Sequence, residues 1–250
     1  MQSDRPIGMS IAGWDPSAGA GLAADIKTFE QHRVYGLGIC TAQTVQTESE
    51  FLSVRWEKTE DVIYALEKML LHYDVQAVKI GITENVKSLD IIVNTIFKVN
   101  NTIPIIVDPV ISSSTGFTFW QTIEDKQLNE LLSKIFLLTP NYDEILHLTK
   151  STDAQGAAEI LAKYCNVLLK GGHSMDEPGI DYLFSFEGKE RIDTGNAATF
   201  AKHGSGCVLS SAITANLALG LSLPESCIAA KKYVEQFLNS SESLLGYHVQ

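Results

Sequence analysis

A histidine, two glycines flanking a serine, and a cysteine run together at His203, Gly204, Ser205, Gly206 and Cys207. They precede an apolar stretch at 208–220, rich in Ala and Ser, that reads as a helix packed closely on a sheet. Glycines on both sides of Ser205 let successive backbone N–H groups turn toward one point, and the helix N-terminus adds positive potential there. The result is an anion hole suited to a phosphoryl group in transfer. Cys207 falls in the first turn, where the same field is expected to lower a thiol pKa. A thiolate there can take the proton of an attacking substrate hydroxyl. A Gly-rich loop leading into a helix with an inert, buried Cys accounts for the same letters equally well.

Four other segments carry chemistry-bearing residues. The stretch IAGWDPSAGAG at 11–21 has glycines at 13, 19 and 21 and opens a helix bearing Asp25. It lacks the Gly-Lys-Ser/Thr of a Walker A loop and only loosely resembles a dinucleotide fingerprint; a tight connection capped by Asp15 is the structural alternative. In TPNYDE at 139–144, Asn141 can cap a helix with Glu144 completing a capping box, or Glu144 can stand near a Mg²⁺–nucleotide. Asp108, just after the apolar run 105–107, has the same two readings, as a loop-fixing residue or a charge near the metal. Lys170, ahead of Gly171 and Gly172, can reach nucleotide phosphates or simply face solvent. His32, His72, His147, His173 and His248 are scattered and form no ligand pattern, and His203 reads as loop-fixing. Trp14, Trp56 and Trp120 are expected to pack.

These residues must be positioned by the elements around them. Apolar runs at 7–12, 38–44, 77–80, 105–107, 136–138 and 167–169 read as buried strands, each followed by a turn and an amphipathic helical pattern. Such alternation indicates a parallel sheet covered by helices on both faces. Residues 51–56 alternate as an edge strand does, and 180–186 with 190–192 read as a hairpin. In open α/β sheets ligands collect beyond the carboxyl ends of the strands, and the segments at 13–21, 43–47, 108–116, 139–144 and 170–173 all follow strands. No repeat or linker interrupts residues 1–250, so one domain is expected.

Composition narrows the partners. Thirty acidic against nineteen basic residues give a formal charge of −11 over 250 residues, which argues against a nucleic-acid surface. It leaves room for phosphate ligands, held by backbone N–H groups and a metal ion. Cys40, Cys165, Cys207 and Cys227 show no CxxC spacing, so neither a zinc site nor a disulfide framework is expected. With no signal pattern at the N-terminus and no run of membrane-spanning length, the expected setting is the cytoplasm.

Taken in order, AGWDPSAGAGLAADIKTF, TAQTVQTE, VKIGIT, VDPV, LLTPNYDE, LLKGGH and HGSGC resemble the hydroxymethylpyrimidine/phosphomethylpyrimidine kinases of thiamine biosynthesis, within the ribokinase superfamily. The resemblance runs from about residue 11 to residue 237, most of the chain. It implies a three-layer α/β/α sandwich with a mostly parallel sheet, ATP with Mg²⁺, and a hydroxymethyl-bearing pyrimidine as phosphoryl acceptor. It also implies that Gln46 hydrogen-bonds the pyrimidine, with Gly13, Asp25 and Ile82 lining the same pocket. Lys170 and Asn141 are expected at the ATP phosphates and Asp108 and Glu144 at the metal. Cys207 is the candidate base in the hole made with Gly204, Ser205 and Gly206. The superfamily favours homodimers.

The chain departs from the family pattern at Trp14 and Ala18, at Ile82 where Met is common, at Ser205 in GSGC, and in the loop 111–116, which lacks the usual Lys. A longer tail beyond Leu245 is also usual. Pyridoxine/pyridoxal kinases are the nearest rival, since both substrates are flat rings with a hydroxymethyl group; Gln46 and TAQTVQTE favour the pyrimidine. A Rossmann-type oxidoreductase would want an acidic residue where Gln43 and Gln46 stand. A non-catalytic pyrimidine-binding protein would show no ATP turnover.

Overall fold

The computed structural model describes residues 5–111, 125–174, 177–195 and 200–248. Its strands are β1 Ile7–Trp14, β2 Tyr35–Gln46, β3 Phe51–Trp56, β4 Ala77–Ile80, β5 Ile105–Val107, β6 Leu137–Leu138, β7 Asn166–Leu169, β8 Asp181–Ser185 and β9 Gly188–Ile192. They form one sheet in the order β3-β2-β1-β4-β5-β6-β7-β8-β9. From β2 across to β7 every neighbouring pair is parallel, and antiparallel pairs close both ends.

The helices are α1 Gly21–Gln31, α2 Thr59–His72, α3 Val86–Val99, α4 Asp125–Leu132, α5 Tyr142–Thr149, α6 Ala154–Leu161, α7 Ser205–Ala218 and α8 Leu223–Leu238. Strand side chains alternate between two cores. Val78, Ile80, Ile105 and Val107 join α2 to α6 on one face, whereas Ala77, Ile106, Leu137 and Leu168 join α1, α7 and α8 on the other. Burial on both faces is why the central strands read as unbroken apolar runs. The architecture is the expected three-layer α/β/α sandwich.

Two boundaries differ from the sequence reading in ways that matter for the site. Strand β2 does not stop at 44 but runs on to Gln46, because β3 pairs antiparallel with its outer half, from Ala42 opposite Trp56 to Gln46 opposite Phe51. Gln46 therefore projects from a strand rather than a loop. Helix α7 begins at Ser205 rather than 208, so Cys207 is already helical backbone. The part of loop 111–116 from 112 onward, and Trp120, lie outside the described residues.

Candidate active site

The parallel strands end on one edge of the sheet, where α1 and α7 begin. A cleft of about 960 Å³ opens along that edge, bordered by Gly13, Gln46, Ile82, Asp108, Asn141, Glu144, Lys170 and the segment from Gly204 to Cys207. Strand ends and helix N-termini facing one crevice make a favourable place for an anionic ligand.

The starts of α7 and α1 depend on two glycines in the left-handed region. Gly204, with φ +77°, precedes α7, and a β-carbon there would lie 2.1 Å from the Gly19 carbonyl oxygen. Gly21, with φ +57°, starts α1, and its β-carbon would lie 2.3 Å from the Gly13 oxygen. Only glycine meets both demands. Asp15 then ties the two loops together. Its carboxylate accepts from the N–H of Ser17 and of Ala20, both at 2.9 Å, and from the Ser17 hydroxyl at 2.8 Å. His203 Nε2 lies 2.9 Å from the same carboxylate. Burial alone would raise the Asp15 pKa, but the hydrogen bonds from His203 and Ser17 hold it below the ordinary value. No side-chain cap bond closes the start of α7, a 14-residue helix whose first N–H groups lie outside its own hydrogen-bond ladder.

Cys207 is half-buried in the first turn of α7. The expected lowering of its pKa does not occur: burial pushes the thiol up to about 11, against the charge of Lys79 and with the charges of Asp25 and Asp108. The low-dielectric surroundings and the two nearby carboxylates together outweigh the charge of Lys79.

Across the cleft, Lys170 joins the two acidic candidates. Its ammonium donates to Asp108 Oδ1 at 2.8 Å and stands 3.6 Å from Glu144 Oε2. Asp108 also accepts from Thr139 and Ser210, each at 3.3 Å. Burial would raise its pKa, but Lys170 and Lys79 hold it below the usual carboxylate value. Glu144 goes the other way, raised by burial with Asp108 adding to it, despite Lys170. Glu144 is also a structural cap: its Oε2 accepts from the Asn141 N–H at 2.7 Å, while Asn141 Oδ1 accepts from the Glu144 N–H at 2.8 Å. The capped turn itself borders the cleft.

On the β1–β2 side, Gln46 donates from Nε2 to Thr44 Oγ1 at 2.9 Å and borders the cleft. Gly13 packs against Ile82, whose side chain would have to shift to admit a β-carbon there. Asp25 is placed otherwise than the resemblance implies. It is fully buried, and its carboxylate accepts from Lys79, Ser10 and Ser211, which occupies its four acceptor sites. It is not among the described residues bordering the cleft, whereas Lys79 is.

Sequence reasoning passed over Lys79, Lys202, Lys231, Asp181 and Glu235, which also border the cleft. Lys231 donates to the Gly179 carbonyl and to Asp181 Oδ2, at 2.9 Å for the latter, and Asp181 Oδ1 accepts from the Gly171 N–H at 2.8 Å. Lys79 left a signal: a lysine in the middle of a buried strand run requires a partner. Among the described residues no three His, Cys, Asp or Glu side chains converge on one point, so an all-protein metal cage is absent there. No described helix is long and apolar enough to cross a membrane.

Known proteins are similar to this chain in sequence and fold. The family described as phosphomethylpyrimidine kinase matches residues 15–249. A hydroxymethylpyrimidine/phosphomethylpyrimidine kinase of Synechococcus elongatus is 35% identical over 246 residues, covering 94% of this chain and 92% of that one. Among solved structures, the phosphomethylpyrimidine kinase of Clostridium difficile superposes with a TM-score of 0.77 at 29% identity, over 92% of this chain and 98% of that one. The pyridoxal kinase of Staphylococcus aureus in complex with ADP superposes with a TM-score of 0.80 at 26% identity, over 95% and 89%.

Proposed function

The chain belongs to the phosphomethylpyrimidine kinase family, and from that membership we propose that it phosphorylates the hydroxymethyl oxygen of 4-amino-5-hydroxymethyl-2-methylpyrimidine with ATP, and then the monophosphate to the pyrophosphate. It is an ATP-dependent phosphotransferase of thiamine biosynthesis with a ribokinase-like fold. The observation that carries the assignment of roles is the uncapped N-terminus of α7, with Cys207 in its first turn and Gln46 across the same cleft.

In this reading the pyrimidine lies between Gln46, Gly13 and Ile82. The Gln46 amide offers a donor and an acceptor, which matches a ring nitrogen beside an exocyclic amine. The hydroxymethyl oxygen attacks the terminal phosphorus of ATP, the bond to the bridging oxygen breaks, and ADP leaves. The N–H groups of Ser205, Gly206 and Cys207 receive the charge on the phosphoryl oxygens. Cys207, in its thiolate form, accepts the hydroxyl proton, Asn141 and Lys170 face the ATP phosphates, and Asp25 acts from behind the pocket rather than on the ring.

Mg²⁺ fits the donor set. Hard oxygen ligands suit it, and it is ordinarily held by one or two carboxylates together with substrate phosphates rather than by a protein cage. Asp108 and Glu144 would supply those carboxylates, and the ion would neutralise charge on the phosphates. We assign the reaction to the cytoplasm.

The test is product identification by mass spectrometry after incubation with MgATP and either the hydroxymethylpyrimidine or pyridoxal. The proposal expects a higher kcat/KM for the pyrimidine; equal or faster turnover of pyridoxal would move the chain to the vitamin B6 kinases.

A further inference from the structure

Lys79 lies inside β4 with its side chain fully buried, as is that of Asp25 on α1. Its ammonium donates to both Asp25 carboxylate oxygens, at 2.9 and 2.8 Å. Ser10 of β1 and Ser211 of α7 complete the carboxylate shell, each at 2.5 Å. The network therefore joins α1 and α7, two helices whose N-termini open on the cleft, to the strands β1 and β4 of the sheet they cover. Replacing such a buried pair with apolar residues often leaves stability unchanged or raises it.

The pair is also oriented. Lys79 borders the cleft and Asp25 does not. Gly81, which borders the cleft, lies against the ammonium, since a β-carbon there would lie 3.2 Å from Lys79 Nζ. Ser211, which holds Asp25, is four residues beyond Cys207 and hence on the same face of α7, one turn further from the anion hole. We propose that the Lys79–Asp25 pair is a fixed dipole whose positive end is turned toward the anion hole, where it stabilises the negative charge that develops during phosphoryl transfer. In that role Lys79 acts through its field rather than by contact. A permanently oriented charge in a water-excluded region is effective because nothing must reorganise as the reaction proceeds. The same cation opposes the rise of the Cys207 pKa.

This inference rests on the kinase reading above, and wild-type turnover of the hydroxymethylpyrimidine with MgATP is the control that tests that reading separately. Lys79→Met alone would strand a buried carboxylate and report on folding. The informative variants therefore change both partners: Lys79→Met with Asp25→Leu, and Lys79→Gln with Asp25→Asn, which keeps neutral hydrogen-bonding groups. The expected result is a melting temperature near or above that of wild type in at least one of them. In that folded protein kcat should fall roughly 10- to 100-fold, while KM for the pyrimidine changes less than about twofold. A folded double variant with wild-type kcat would overturn the proposal. So would failure of both double variants to fold, because the pair would then be a folding element. If wild type itself gives no product, the kinase reading falls first.

Discussion

At Cys207 the field of the α7 N-terminus favours the thiolate, while burial and the neighbouring carboxylates push the thiol up to about 11. The thiolate is then the minor form at neutral pH. If Cys207 is the base, Cys207→Ala should lower kcat by about 10²–10⁴-fold. Because the pKa is raised, the fraction of thiolate grows with pH. The wild-type kcat should therefore climb from pH 7 toward pH 10, and the alanine variant should lack that rise. A near-normal kcat in a folded Cys207→Ala protein would instead leave the backbone N–H groups as the main catalytic device, which a loose phosphoryl transition state permits. At the opposite wall, Gln46→Leu leaves polar atoms of the ring without partners. It should cost about 1–3 kcal/mol of transition-state stabilisation, read as a loss of kcat/KM for the hydroxymethylpyrimidine.

Among the elements, α7 is the one whose placement decides the site, and Gly204 sets its start. Gly204→Ala would force a β-carbon against the Gly19 carbonyl oxygen and hold alanine at φ +77°. The left-handed conformation alone costs roughly 1–2 kcal/mol. Here the loop must also shift, so the melting temperature and kcat should fall together. Gly220, just beyond the other end of the helix, supplies the control. It has φ +88° but nothing within 4 Å of a β-carbon, so Gly220→Ala should lose stability alone and keep wild-type kinetics. Matching kinetic losses in the two variants would show that the helix start is not specially constrained.

For the molecule as a whole, a formal charge of −11 sets the terms on which a triphosphate is bound. Lys170 is engaged with Asp108 and Glu144, so the cleft offers little free positive charge on that side. ATP should accordingly raise the melting temperature only when Mg²⁺ accompanies it. At about 100 times the dissociation constant the stabilisation should be about 2.7 kcal/mol, and EDTA should abolish it. Glu144→Gln should increase the Mg²⁺ concentration needed for half-maximal rate. An unchanged requirement would reduce Glu144 to its capping role with Asn141.

Much of this was legible in the residue order because it depends on local periodicity. Runs buried on both faces, such as 77–80 and 105–107, announce central parallel strands, and the Gly-Ser-Gly-Cys segment announces a helix start whatever lies around it. The capping box at Asn141 and Glu144 is likewise a matter of spacing along one turn. Tertiary structure alone decided what depends on distance across the fold. The extension of β2 to Gln46 comes from pairing with β3, and the direction of the Cys207 shift comes from burial among groups far away in sequence. The engagement of Asp25 by Lys79 spans 54 residues and its bond to Ser211 spans 186. Charge and dielectric act through space, so a site assembled from six strand ends and three helix starts has electrostatics that no single segment contains.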